Sequence, residues 1–177
     1  VGLNPTRTGF IKIMKLMGGD IKTIINNQTK SSEEIGSIIV RSSNLRGIKV
    51  SKHLITSAID ELPLVFLAGA CAKGSTIIRN AEELRYKESD RISSMIKTLN
   101  QFSITTKEFN DGAIIEGGIV TGGKIDSFGD HRIAMTALVA SCVSEKPIIV
   151  ENCKNIDTSF PTFKKIMNLI GMNIRAY

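Results

Sequence analysis

The chain has 177 residues, 42% of them hydrophobic, and its 23 Lys and Arg exceed its 17 Asp and Glu by six. This length and composition predict one folded domain, or one lobe of a larger protein, and exclude disorder throughout. The positive charge favours anionic ligands, whereas the low aromatic content (Phe 7, Tyr 2, no Trp) argues against a base-stacking surface for nucleic acid.

The cysteines, the apolar runs and the amino terminus exclude further classes of protein. Cys71, Cys142 and Cys153 show neither metal-ligand nor disulfide spacing, which argues against structural zinc and predicts a reducing, cytoplasmic location. The longest apolar stretch, 62–72, includes Pro63 and is too short to span a bilayer. The first residues contain no signal-peptide apolar core and no initiator Met, so we expect the sequence to begin part-way along a longer chain.

An internal repeat organises the sequence. The segment 12–21 (KIMKLMGGDI) recurs at 165–174 (KIMNLIGMNI), and a fainter copy lies at 95–101. Such self-similarity predicts repeated structural units. Chance similarity among amphipathic helices is the alternative.

The predicted elements extend this repeat along the chain. Helices are predicted at 64–73, 87–102, 133–144 and 160–170. Strands are predicted at 38–40, 48–50, 76–78, 104–106, 113–115 and 147–150. A shift of 71 residues superimposes the second helix–strand–helix run on the first, and the copy nearest the amino terminus lacks its front half. Because the helices are nearly continuously apolar, we predict an α+β fold with sheets wrapped around buried helices.

The densest polar cluster precedes the second of these helices. Lys87 and Arg91 are four residues apart, so we expect them to share a helix face, with Glu88 on the next face. Cations at the positive end of a helix dipole indicate a bound anion. The alternative is a solvated network of ion pairs that joins Glu83 to Lys87, and Lys87 and Arg91 to Asp90.

Two further polar clusters also precede apolar helices. Asp130 is a candidate N-cap, whereas His131 and Arg132 occupy a first turn that disfavours cations, and a planar guanidinium suits a carboxylate or phosphate. Asp60 could also be a simple helix cap, but when the two copies of the repeat are aligned by the 71-residue shift, Asp60 corresponds to His131. We therefore expect the helix amino ends to converge on one anion-attracting cleft, the alternative being ordinary capped helix starts.

The motifs at these positions resemble those of the 5-enolpyruvylshikimate-3-phosphate synthase family over essentially all of the chain. They are 4–9 (NPTRTG), Asp60 ahead of Leu62-Pro63, 72–76 (AKGST), 79–80 (RN), 84–91 (LRYKESDR), 129–135 (GDHRIAM) and 158–161 (TSFP). The resemblance implies a two-lobed α/β prism, or inside-out α/β barrel, in which each lobe holds three βαβαββ units. It further implies that residues 1–177 are the carboxy-terminal lobe, with the first repeat incomplete and the amino-terminal lobe absent.

The resemblance also implies an activity. Family members transfer the enolpyruvyl group of phosphoenolpyruvate to the 5-hydroxyl of shikimate 3-phosphate and release phosphate, a step toward chorismate and aromatic amino acids. No metal or organic cofactor, nucleic acid or membrane is implied. Because the missing lobe supplies part of the substrate site, we expect this chain alone to be inactive.

Site roles follow from the same resemblance. The resemblance implies that Asp60 is the base that takes the proton of the 5-hydroxyl, and that Glu88 is the acid that protonates the methylene carbon. Contacts to shikimate 3-phosphate fall to Asp60, Glu83 and Lys87. Binding of phosphoenolpyruvate falls to Arg91, Arg132, His131 and Asp130. One phosphoenolpyruvate contact is missing at Thr158, where some family members have a Lys, unless Lys154, Lys164 or Lys165 replaces it.

Two other functions remain open from the sequence. A related enolpyruvyl transferase acts on UDP-N-acetylglucosamine, but the motifs at 87–91 and 129–132 favour the shikimate enzyme. A non-catalytic RNA-binding module would explain the net charge of +6. The low aromatic content argues against it.

Overall fold

A computed structural model describes residues 1–26 and 34–176 of the chain. The α-helices are α1 (Gly9–Leu16), α2 (Lys52–Ser57), α3 (Leu62–Ala70), α4 (Arg91–Gln101), α5 (His131–Ala140), α6 (Asn155–Ser159) and α7 (Phe163–Leu169). The strands are β1 (Asp20–Ile25), β2 (Gly36–Arg41), β3 (Ser75–Ile78), β4 (Thr106–Phe109), β5 (Gly112–Glu116), β6 (Gly123–Asp126) and β7 (Ile148–Glu151). A 3-10 helix spans Glu82–Tyr86.

The strands of the described residues form three small sheets. β1 pairs antiparallel with β2, β5 lies antiparallel between β3 and β4, and β6 pairs parallel with β7. A further parallel bridge joins Lys49 to Ile77 of β3. Parallel neighbours need a helical crossover, which α2 and α3 supply before β3 and α5 supplies before β7. The same helix–strand–helix order therefore occurs twice, as the repeat in the sequence predicted.

Helix α3 lies at the centre of the molecule. Its sequence, LPLVFLAGA, has no polar side chain, and every residue but Leu64 is buried. It packs against α1, α4 and α5, whose inward residues Ile13, Ile92 and Ile133 are fully buried. A helix that is apolar on all sides must be covered on all sides, so the helices lie inside and the sheets outside. The predicted α+β arrangement is confirmed.

The predicted start of α4 is wrong. Asp90 accepts a hydrogen bond from the backbone N–H of Ser93 (3.0 Å) and caps the helix, which therefore begins at Arg91. Lys87 lies before this cap with an extended backbone (φ −90°, ψ −160°). Lys87 and Arg91 therefore do not share a helix face, because the i,i+4 rule applies only where both residues are helical.

Several other element predictions differ from the structure at their ends. The predicted strand 48–50 is only an isolated bridge beside β3, and the predicted strand 104–106 starts at Thr106. Helices α2 and α6, together with strands β1 and β6, were not predicted. Helices of five or six residues contain too few apolar positions to establish a period.

A glycine brings α1 close to α2. A Cβ on Gly9 would lie 2.3 Å from Ser57 Oγ and 2.7 Å from the Ser57 carbonyl carbon. Only a residue without a side chain permits this approach. As a result, the residues just before α1 lie beside the turn that joins α2 to α3.

Candidate active site

The starts of four helices meet on one face of the molecule. Asp60 lies in the turn before α3, Arg91 is the first residue of α4, and Arg132 is in the first turn of α5. Arg7 lies just before α1. The convergence of helix amino ends that we expected from the sequence is therefore present, and it includes α1 in addition.

Asp60 is the centre of this cluster. Its Oδ2 lies 3.3 Å from Arg132 Nη2, and its Oδ1 lies 3.8 Å from Arg91 Nη1. Arg132 Nη1 also donates to the backbone carbonyl of Asp60 at 3.0 Å. The side chains of Asp60 and Arg132 are 27% and 29% exposed, so the cluster faces solvent. Asp60 makes no N-cap hydrogen bond to α3, since the residue at that position is Glu61.

Arg91 is a buried cation surrounded by carboxylates. Its side chain is 1% exposed, its Nε donates to Asp130 Oδ2 at 2.8 Å, and its Nη2 donates to Glu88 Oε2 at 2.5 Å. A desolvated guanidinium is tolerated only when its donors are paired in this way. The geometry fixes the Arg91 side chain at the rim of the cluster.

Asp130 combines both roles that the sequence left open. Its Oδ1 accepts from the backbone N–H of Arg132 at 2.8 Å and caps α5, while its Oδ2 accepts from Arg91 and, at 3.1 Å, from Ser89 Oγ. Burial raises the pKa of Asp130, but the hydrogen bonds from Arg91 and the Arg132 backbone outweigh burial and hold this pKa below its ordinary value.

The remaining predicted residues lie around the cluster. Lys87 pairs with Glu83, which confirms one of the two predicted ion-pair groups. His131, the first residue of α5, is partly buried. Thr158 is exposed on α6, and Asn155 at the start of α6 donates to the carbonyl of Gly129 beside the Asp130 cap. Within the described residues, no hydrogen bond or ion pair joins Glu83 or Lys87 to the Asp60 cluster.

Arg85 anchors the segment that leads into α4. Its guanidinium donates to Asp90 Oδ2 (2.6 Å), Glu108 Oε1 (2.9 Å), the Phe109 carbonyl (2.7 Å) and the Asn110 carbonyl (2.6 Å). These bonds tie the segment to the end of β4 and to the turn that follows this strand. The cap of α4 is thereby held in place from a second element.

Two residues of the cluster were not predicted as site residues. Arg7 Nη1 lies 3.3 Å from Asp60 Oδ2, and Arg7 Nη2 lies 2.9 Å from Glu61 Oε1. In the sequence, Arg7 was recognised only as part of the motif at 4–9. The sequence did contain a signal that Arg7 is a site residue. Like Arg132, Arg7 is a cation near the start of a helix, where the helix dipole disfavours a positive charge.

Two small surface pockets in the described part of the chain lie away from the cluster, one beside α1 and β1 and the other beside α4 and β6. None of Asp60, Arg91 and Arg132 lines them. Over residues 1–26 and 34–176, no group of three His, Cys, Asp or Glu side chains could hold a metal ion. In the same part of the chain, no helix is long and apolar enough to cross a membrane.

Comparison with known proteins decides the family. Residues 1–167 match the family model described as EPSP synthase (3-phosphoshikimate 1-carboxyvinyltransferase). The chain belongs to the EPSP synthase family. Curated relatives named 3-phosphoshikimate 1-carboxyvinyltransferase include those of Legionella pneumophila (strain Corby), 45% identical over the whole chain, and Coxiella burnetii (strain RSA 331 / Henzerling II), 42% identical over 99% of it. The chain spans 41% and 40% of the lengths of these relatives.

Solved structures of EPSP synthases share this fold. An EPSP synthase from Acinetobacter baumannii superimposes with a TM-score of 0.94 at 41% identity, over 99% of this chain and 41% of that one. The enolpyruvyl transferase NikO from Streptomyces tendae shares the fold alone, with a TM-score of 0.62 at 16% identity. The predicted family and fold class are both confirmed, and the comparisons do not favour the UDP-N-acetylglucosamine alternative.

Proposed function

We propose that residues 1–177 form the carboxy-terminal lobe of an EPSP synthase, with an incomplete first repeat and an amino-terminal lobe outside these residues. The complete enzyme transfers the enolpyruvyl group of phosphoenolpyruvate to the 5-hydroxyl of shikimate 3-phosphate. The main support is that Asp60 meets Arg91 and Arg132, from separate helix starts, in one solvent-facing cluster. The names of the curated relatives support the choice of reaction.

The proposed binding of phosphoenolpyruvate depends on charge. Phosphoenolpyruvate has a carboxylate and a phosphate, and the planar guanidiniums of Arg91 and Arg132 suit both groups. In this structure Asp60 and Glu88 accept hydrogen bonds or ion pairs from these arginines. The substrate anion therefore replaces protein carboxylates at the same donors, while Asp130 keeps Arg91 fixed from the buried side.

The proposed chemistry uses the two carboxylates that substrate releases from the arginines. Asp60 takes the proton of the 5-hydroxyl as the hydroxyl oxygen bonds to the enol carbon. Glu88, protonated once it has left Arg91, gives that proton to the methylene carbon. The carbon–oxygen bond to phosphate then breaks, and the methyl carbon returns a proton to the Glu88 carboxylate as the double bond re-forms. Fixed cations stabilise the charge that develops on the leaving phosphate.

The other predicted residues surround this centre. Lys87 and Glu83 form an ion pair on the exposed segment before α4, and we propose that they contact shikimate 3-phosphate. His131 lies beside Arg132 at the start of α5 and is proposed to line the phosphoenolpyruvate side. The absence of any requirement for metal, cofactor, nucleic acid or membrane stays a prediction, as does a cytoplasmic location.

A chimera tests the proposed function directly. In it, this chain replaces the matching 41% of the Legionella pneumophila relative, so that an amino-terminal lobe is present. We expect the chimera to release inorganic phosphate only when phosphoenolpyruvate and shikimate 3-phosphate are both supplied. We expect no release by the 177-residue chain alone. A folded chimera without this activity, or an active isolated chain, would contradict the proposal.

Arg132→Gln tests the proposed phosphoenolpyruvate ligand. Hydrogen bonds to a charged group contribute about 1.5 to 3 kcal/mol, so we expect the KM of the chimera for phosphoenolpyruvate to rise about 10- to 100-fold. The KM for shikimate 3-phosphate should change much less. Arg41→Gln is the matched control, since the ion pair that Arg41 makes among the described residues is with exposed Asp20, at 3.5 Å on another part of the molecule. An unchanged KM for phosphoenolpyruvate in Arg132→Gln would exclude this role.

A further inference from the structure

Arg7 bridges two consecutive carboxylates that border the candidate active site. One guanidinium nitrogen lies 3.3 Å from Asp60 Oδ2 and the other lies 2.9 Å from Glu61 Oε1. Two adjacent negative charges repel each other, and a planar cation between them fixes their separation. The contact joins residues that are 53 and 54 positions apart in the chain, so it exists only in the folded lobe.

Glu61 depends on this contact. Its Oε2 is buried without a hydrogen-bond partner among the described residues, while its Oε1 accepts from Arg7. A buried carboxylate oxygen without a donor is costly, so the bond from Arg7 matters more to Glu61 than an ordinary surface ion pair would. Loss of Arg7 would remove this donor from Glu61 and leave the Asp60 carboxylate with Arg91 and Arg132 as its partners.

The backbone beneath Arg7 is held independently of these ion pairs. Asn4 Oδ1 accepts from the Thr6 backbone N–H (3.0 Å) and from Thr6 Oγ1 (2.7 Å), and the Arg7 N–H donates to the Asn4 carbonyl (2.9 Å). The close packing of Gly9 on Ser57 then places this turn beside Asp60. Arg7 is thus presented to Asp60 by a pre-organised turn.

The three arginines around Asp60 differ in their other partners. Arg91 and Arg132 are the proposed ligands of phosphoenolpyruvate, whereas the ion pairs of Arg7 go only to Asp60 and Glu61 among the described residues. We infer that Arg7 is a positioning residue, which keeps the Asp60 carboxylate in place when the substrate anion takes the other two guanidiniums. This inference rests on the proposed function.

Steady-state kinetics of the chimera test the inference. Because a misplaced catalytic group can cost about 100-fold in rate, we expect Arg7→Gln to lower kcat about 10- to 100-fold. The KM for phosphoenolpyruvate should stay within about twofold, because Arg7 does not bind this substrate in the proposed arrangement. Arg7→Lys should recover part of kcat, since an ammonium restores the charge but cannot bridge both carboxylates. The matched control, Arg41→Gln, should leave both constants unchanged.

A double variant separates positioning from a general effect on folding. If Arg7 acts through Asp60, adding Arg7→Gln to Asp60→Asn should cause little further loss of kcat, whereas independent effects would multiply. Multiplied losses, an unchanged kcat in Arg7→Gln, or a raised KM for phosphoenolpyruvate with unchanged kcat would each overturn the inference while the proposed function stands. A folded unmodified chimera without activity would overturn the proposed function itself, and this inference with it.

Discussion

Asp60→Asn is expected to lower the kcat of the chimera by about 100- to 10,000-fold, because general acid–base catalysis contributes a factor of this size. The amide has nearly the shape of the carboxylate but cannot accept the 5-hydroxyl proton. It also frees Arg91 and Arg132 from an internal anion, so the KM for phosphoenolpyruvate should not rise. Initial rates of phosphate release, measured over a range of both substrates, give the two constants separately.

Asp20→Asn is the matched control for this experiment. Asp20 is also a carboxylate paired with an arginine, Arg41, but it is 53% exposed and lies on β1, away from the cluster. Its replacement should leave kcat unchanged. If Asp60→Asn retained most of the activity, the assignment of Asp60 as the base would be wrong. If it mainly raised the KM for phosphoenolpyruvate, Asp60 would serve binding instead.

Asp130→Asn is expected to destabilise the 177-residue chain by about 3 to 5 kcal/mol, the usual cost of removing one partner from a buried ion pair. Asp130 and Arg91 are 0% and 1% exposed, so neither water nor another described side chain replaces the lost carboxylate at Arg91 Nε. An asparagine oxygen can still cap α5, so the loss reports on the ion pair more than on the cap. Urea unfolding at pH 7 measures the difference.

The effect of Asp130→Asn should depend on pH. The pKa of Asp130 in the folded chain lies below its ordinary value of 3.8, so the carboxylate stabilises the fold above that pH and loses this contribution as the pH falls through the folded pKa. The difference in unfolding free energy between Asp130→Asn and the unmodified chain should therefore be full at pH 7 and shrink below about pH 4. A difference that stayed constant into strong acid would contradict the role of the charge.

Asp126→Asn provides a comparison within the same turn. The Asp126 carboxylate accepts hydrogen bonds from the Phe128 backbone (2.7 Å) and from Asn152 (2.9 Å), but it has no ion pair among the described residues. Since it is only partly buried, its replacement should cost about 1 kcal/mol, the typical net value of a hydrogen bond. An equal loss of unfolding free energy in Asp126→Asn and Asp130→Asn would mean that the ion pair with buried Arg91 contributes nothing to stability beyond an ordinary hydrogen bond.

The repeat and the buried helices were predictable because they follow from local composition. A helix with no polar side chain, such as α3, can be stable only at the centre of the fold. Asp130 was predictable as a cap because capping acts within one turn of its own residue. Local patterns of this kind need no knowledge of the rest of the chain.

The exact start of α4 and the role of Arg7 were not predictable in the same way. Arg85 bonds to Glu108 and Phe109 at the end of β4 and so helps to hold the segment in which Lys87 is extended. Periodicity in the sequence does not predict such a bond. Arg7 reaches Asp60 only because Gly9 allows α1 to approach α2. Contacts between distant residues depend on packing and not on spacing.

The sequence by itself determined the fold class and the family and predicted the charged residue types of the candidate site, because apolar pattern, motif order and residue type are all local properties. The tertiary structure decided which charges meet. Asp60 lies in the turn before α3, while Arg91 and Arg132 lie in the first turns of α4 and α5, and only the packing of α3 against α4 and α5 brings the three within ion-pair distance. The energy of such an ion pair depends on distance and burial, and neither is specified until the core has formed.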